Sequence, residues 1–117
     1  MIKKTYNSIF HALNGLKTIW KEEHNFRIEN LVSLLIVFCI FYFQFTFIES
    51  ALCVIAITIV LCSEIINTVI EDLCNKIEPN QDPVIGKIKD TMAFFVFMAC
   101  VGAIVIGLLV FYHHFLL

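Results

Sequence analysis

The chain predicts an all-α integral membrane protein, with an N-terminal amphipathic surface helix followed by three transmembrane helices. Three observations carry this. Of 117 residues, 60% are hydrophobic and 15% charged, with mean hydropathy +0.88. A soluble domain this short buries too little of itself to hide so much apolar surface. The apolar residues gather in three stretches, each long enough to cross a bilayer. All eight Lys and Arg residues lie either before the first stretch or around the loop after the second.

The surface helix is placed at about residues 5–23. Ile9, Leu13, Leu16 and Trp20 recur at helical spacing, while Asn7, His11, Asn14, Lys17 and Lys21 take the other faces. Lysines flanking an apolar stripe with a tryptophan suit a helix lying in the membrane interface. The first span is expected at about 30–48, where 19 residues carry no charge. At ~1.5 Å per residue that crosses a ~30 Å hydrocarbon core. Its many phenylalanines (Phe38, Phe41, Phe43, Phe45, Phe47) read as lipid-facing bulk.

Glu49 and Ser50 are read as a very short turn into the second span, about 51–77. The prolines and polar run of Glu78–Pro83 mark a loop. The third span, about 91–113, carries Ala99, Ala103 and Gly107 every fourth residue, a stripe that lets helices approach closely. No internal repeat appears, so residues 1–117 form a single domain. The lysine and arginine distribution puts the N-terminus and second loop in the cytoplasm and the C-terminus outside.

Several function classes fall away. A net charge of −2 gives no nucleic-acid footprint. The five cysteines are odd in number and lack C-x-x-C spacing, which argues for apolar fillers over disulfides or metal ligation. No cleavable signal peptide precedes Glu29. His11 and His24 lie at the opposite membrane face from His113 and His114, so the four cannot meet in one chain. A Walker A loop is excluded because Gln81 stands where its first glycine belongs, five positions before Gly86.

The most informative residues interrupt the second span. Glu64, Asn67 and Glu71 fall at i, i+3 and i+7 and so share one helical face. A carboxylate in or just inside hydrocarbon costs several kcal/mol unless it is paired, protonated or bound to a cation. Counted from Ala51, Glu64 lies roughly 20 Å along the helix and Glu71 roughly 30 Å, at the water boundary. Topology brings Glu22, Glu23, Glu71, Asp72, Lys87, Lys89 and Asp90 to that same level. Carboxylates suit Mg2+, which binds through one or two of them plus substrate phosphates, and lysines neutralise phosphate oxygens. Charges at this level also simply anchor spans.

Glu64-Ile65-Ile66-Asn67-Thr68-Val69-Ile70-Glu71, followed by Lys87-Ile88-Lys89-Asp90, resembles the E-x-x-N-(S/T)-x-x-E … (R/K)-x-K-D signature of the bacterial integral-membrane diacylglycerol kinase / undecaprenol kinase family. Upstream, Gly15-Leu16 and Glu23-His24-Asn25-Phe26-Arg27-Ile28 resemble its G-L … E-x-N-F-R-I segment. The likeness covers essentially the whole chain. It implies a homotrimer in the bacterial inner membrane, with a composite site shared between neighbouring subunits and no other protein partner.

By that resemblance the chain uses ATP and Mg2+ to phosphorylate the hydroxyl of a membrane lipid alcohol. Glu64 matches the base that takes the hydroxyl proton, and a deep carboxylate suits that task. Asn67 is either a catalytic contact or a helix–helix hydrogen bond. Glu23 and Glu71 match the metal ligands, and Lys89 and Asp90 match nucleotide contacts. Asp82 occupies a loop near the expected nucleotide, and Lys4 stands where a basic residue reaches nucleotide or lipid.

The chain also departs from the family pattern. Asn75 replaces a usual aspartate, Asn80 and Asp82 stand where Glu and His are common, and Met92, Phe94, Phe95 and Phe97 replace small residues. The Asn25-Phe26-Arg27-Ile28 segment looks closer to undecaprenol-type members, with diacylglycerol a close second. Two rival readings remain. A proton-coupled transporter accounts for Glu64 but gives no reason for Glu23, Glu71, Lys89 and Asp90 to gather. A non-catalytic family member is raised by Asn75.

Overall fold

A computed structural model describes all 117 residues as four helices and no strands: α1 (Ile2–Glu22), α2 (His24–Tyr42), α3 (Phe47–Ile77) and α4 (Pro83–Leu116). The last three are long and apolar enough to cross a membrane. At ~1.5 Å per residue they measure roughly 28, 46 and 51 Å. Thus α3 and α4 overreach a ~30 Å hydrocarbon core, while α2 barely fills it. The α3–α4 pair forms the backbone of the fold, α2 leans on α3, and α1 touches only the start of α2.

Only α3 buries a face. Along it lie Glu49, Cys53, Ala56, Ser63, Glu64, Thr68 and Cys74, in helical repeat. The hydroxyls on this face turn back on their own helix: Ser63 Oγ donates to Val60 O at 2.7 Å and Thr68 Oγ1 to Glu64 O at 2.9 Å. They enter hydrocarbon already satisfied. The outer faces of α2 and α4 stay apolar and exposed, as a lipid-facing surface must be.

The turn between α2 and α3 lies at Phe43–Thr46, not at Glu49–Ser50. Phe45 N donates to Ile40 O at 3.0 Å and Phe43 N to Cys39 O at 2.9 Å. Between them Gln44 adopts φ 56°. This is a Schellman ending with glutamine in the left-handed seat that glycine usually takes, so no glycine marks it in the sequence. Thr46 then caps α3, its Oγ1 accepting from Glu49 N at 3.2 Å.

Glu49 is therefore inside a helix, only 3% exposed. Its Oε2 lies 2.8 Å from His114 Nδ1 and its Oε1 3.4 Å from His113 Nδ1. Phe45 and Phe115 pack their rings against His114 at 4.6 and 4.7 Å. The buried carboxylate ties the start of α3 to the end of α4, a pairing across 65 residues that spacing alone does not reveal.

The small-residue stripe also serves differently from expectation. Ala103 and Gly107 line a cleft of about 450 Å3 between α2, α3 and α4. A Cβ placed on Gly107 meets nothing within 4 Å. α4 packs chiefly on α3, so these positions face the cleft between the three spans.

Replacing the strained Gln44 tests the turn. Gln44→Gly should stabilise the protein by roughly 0.5–1 kcal/mol, the left-handed penalty less glycine's entropic cost. Thermal denaturation in detergent reads this as a small rise in Tm, and a fall would contradict the turn geometry.

Candidate active site

The end of the bundle away from Glu49 collects the ionisable groups. Three devices build it. At the α1–α2 corner, Phe26 is buried to 3% exposure and Ile19 to 8%. Arg27 Nη1 donates to the carbonyls of Trp20 and Lys21 at 3.0 and 3.2 Å, closing the C-terminus of α1. The corner residue itself is Glu23, extended at φ −111°, ψ 107°. Phe26 and Arg27 thus earn their place in the motif structurally, by fixing where Glu23 points.

The second device is α3. Counted from its true start at Phe47, Glu64 lies about 26 Å along and Glu71 about 36 Å, each some 6 Å further from the start than a start at Ala51 gives. Glu64 is 4% exposed, Asn67 half-buried and Glu71 open. The third is the head of α4. Asp82 caps it, Oδ2 accepting from Val84 N and Ile85 N at 3.0 Å each, with Pro83 in the first turn. Two turns further, Lys89 Nζ donates to Asn75 Oδ1 at 2.6 Å, clamping α4 to α3.

Glu23 faces an acidic neighbourhood. Burial first, then Glu71, Glu64, Asp72 and Glu22, push its carboxyl above the ordinary range. The corner and the middle helix therefore lie close enough within a single chain for the Glu71 charge to act on Glu23. No three His, Cys, Asp or Glu side chains gather closely enough to form a closed metal cage. Two carboxylates suit Mg2+, whose remaining positions go to phosphate and water. A bound cation would offset both the burial and the acidic neighbours that raise Glu23.

The other expected residues divide. Lys89 is half-buried beside Asn75, and Asp90 next to it is exposed. Asp82 lies in the same loop, but its Oδ2 serves as a helix cap. Lys4 sits on the exposed first turn of α1, 19 residues from Glu23 and so roughly 28 Å away along that helix. The chain does not bring it to its own site. One residue was missed: Glu29, one turn into α2, meets Glu64 across the α2–α3 contact. In the sequence it marks only the edge of the uncharged run.

A membrane bundle that gathers Glu23 at its corner with Glu71 and the deeper Glu64 of α3, and holds Lys89 against the same helix at Asn75, has the kinds of group that handle phosphate at a membrane surface. The profile of the prokaryotic diacylglycerol kinase family matches residues 10–111. A diacylglycerol kinase of Haemophilus influenzae is 30% identical over 107 residues, covering 91% of each chain. The chain belongs to the prokaryotic diacylglycerol kinase family and is a lipid kinase of the membrane, with ATP as its co-substrate.

Two outcomes test this geometry. Asp82→Ala should cost about 1 kcal/mol of stability while the KM for ATP stays within about twofold, separating helix capping from nucleotide contact. For Glu23 the sign follows from its raised carboxyl. Ionised Glu23 opposes the fold once pH exceeds its folded-state value, and protonation relieves this as pH falls. Glu23→Gln should therefore raise Tm in metal-free buffer at neutral pH, a gain that fades on acidification. Mg2+ should raise the Tm of the wild type more than that of the variant.

Proposed function

We propose that this kinase uses ATP and Mg2+ to phosphorylate the hydroxyl of an undecaprenol-type membrane alcohol, with diacylglycerol a close second. The observation that carries the reading is the convergence of Glu23, Glu71 and Glu64 at one end of the bundle, beside Lys89. Support for undecaprenol is the likeness of Asn25-Phe26-Arg27-Ile28 to members acting on that lipid. The name of the Haemophilus influenzae relative favours diacylglycerol.

Glu64 takes the proton from the acceptor hydroxyl as its oxygen attacks the γ-phosphorus. Glu64 is buried yet only two turns from Glu71, so it reaches a hydroxyl held at the interface. Glu23 and Glu71 would hold Mg2+, which supplies charge neutralisation for the polyphosphate. Lys89 lies against the transferring phosphoryl oxygens, with Asp90 orienting the nucleotide beside it. Because its partner Asn75 is neutral, the Lys89 charge stays uncompensated and available to phosphate. Asn67 hydrogen-bonds the substrate or the neighbouring helix from the same face.

We place the chain in the bacterial inner membrane, with its N-terminus cytoplasmic and its C-terminus outside, following its lysines and arginines. The apolar stripe of α1 (Ile9, Leu13, Leu16, Trp20) is exposed and fits the membrane surface. A homotrimer is favoured because every span presents apolar surface to its surroundings, and in such an assembly Lys4 would reach the acidic cluster of a neighbouring copy.

Purified protein with ATP, Mg2+ and either lipid alcohol tests the reading. The wild type should form phosphorylated lipid, faster with undecaprenol. Glu64→Gln and Glu71→Gln should each lower kcat by at least roughly 10²-fold, the usual scale for losing an acid–base or charge-stabilising group. A wild type that phosphorylates neither lipid, nor any other membrane alcohol, would sink it.

A further inference from the structure

Glu29 is the one side chain whose buried polar atom has no partner: its Oε2 is enclosed and receives no hydrogen bond. Its neighbour across the helix contact is the carboxyl of Glu64, itself 4% exposed. The nearby hydroxyls are already engaged with backbone carbonyls. Ser33 Oγ donates to Glu29 O at 2.7 Å, Thr68 Oγ1 to Glu64 O at 2.9 Å and Ser63 Oγ to Val60 O at 2.7 Å. Asn30 Nδ2 likewise donates to Phe26 O at 2.8 Å. None of these groups donates to the two acids, and Glu29 Oε2 is left without a hydrogen bond.

Their surroundings sharpen the problem. Glu29 closes one end of the cleft between α2, α3 and α4, whose lining is otherwise nearly all apolar. The titratable groups facing the acids are Cys100 on α4 and Glu23 at the α1–α2 corner, and neither brings positive charge. Two carboxylates in contact, in apolar surroundings and without a cation, do not both ionise. The group that satisfies an orphaned carboxyl oxygen beside another carboxyl is a proton held between them, as in paired-acid active sites.

We propose that Glu29 and Glu64 act as one proton-sharing carboxyl pair, with Glu29 the positioning residue that holds Glu64 toward the incoming lipid hydroxyl. This rests on the kinase reading above. At rest the pair carries one proton. In the reaction the hydroxyl O–H bond breaks and its proton passes to the free Glu64 oxygen, while the lipid oxygen forms a bond to the γ-phosphorus. The bond from that phosphorus to the β,γ-bridging oxygen breaks, and its electron pair leaves with ADP. The pair, now doubly protonated, returns one proton to water before the next turnover. Sharing prevents Glu64 from collapsing onto a backbone donor and keeps one carboxylate oxygen ready.

Glu29→Gln is the discriminating variant, because its amide still donates to Glu64 and preserves the contact while removing the shared proton. In the full-length protein it should lower kcat for lipid phosphorylation at least tenfold and leave the KM for ATP within twofold. Infrared spectra supply a readout independent of turnover. The wild type should show a protonated-carboxyl band near neutral pH that is lost in Glu29→Gln and in Glu64→Gln alike, with the double variant losing no more than either. Turnover of Glu29→Gln at the wild-type rate, or persistence of that band in either single variant, overturns the pair. A wild type that phosphorylates no lipid alcohol but shows the shared band would instead retain the pair and defeat the kinase mechanism built on it.

Discussion

Hydrocarbon supplies no partner for a polar group, and α3 carries the polar groups of this protein into hydrocarbon. Everything else in the fold is arranged around covering that one helix. Glu49, Ser63, Glu64 and Thr68 are its buried polar residues, and they lie on the face that α2 and α4 cover. Beyond the enclosed carboxyl of Glu29 on α2, the other spans have little to hide. α2 buries only Phe26 and α4 only Val110, so both can offer apolar surface to lipid or to further copies of the chain. A helix with one polar stripe and two apolar attendants is the simplest way to bring carboxylates into a membrane.

The two ends of α3 solve the covering problem in opposite ways. Near Phe47, Glu49 is matched by His113 and His114 and wrapped in phenylalanine rings, a closed arrangement suited to holding two helices in register. Near Ile77 the acids are left facing one another. Glu23, Glu29, Glu64, Glu71 and Asp72 meet no arginine or lysine in an ion pair, and Lys89 is turned to the neutral Asn75. A chain built only for stability would not gather like charges this way. Unmatched acids of this kind mark a site completed by something that arrives.

Much of this was legible from sequence because membrane helices announce themselves by length and polarity. The polar face of the middle span and the end of the surface helix near Glu23 follow from spacing, and the structure gathers Glu23, Glu64 and Glu71 at one end. The head of α4 does not follow, since the third span was expected only from about 91 while the helix begins at Pro83 under the Asp82 cap. What escaped was set by long-range contact or by unusual local chemistry. The end of α2 was hidden because Gln44 takes a glycine's conformation. Its sequel was readable: Thr46 and Glu49 stand at the spacing of a capping box, which marks a helix start at Phe47. Glu49 looked like a turn residue because its histidine partners lie 65 positions away. Glu29 looked like a span boundary because only the packing of α2 on α3 sets it against Glu64.

Asn75 now takes on a definite electrostatic meaning. In the family pattern an aspartate stands there, and in this fold an aspartate would place a full negative charge on Lys89 at hydrogen-bonding distance. Such a pair would compete with phosphate for the lysine and add one more like charge to a cluster already strained at Glu23. Asparagine keeps the 2.6 Å clamp between α3 and α4 while leaving the ammonium charge free. The substitution therefore keeps the contact between the two helices and leaves the lysine's charge unneutralised by that partner.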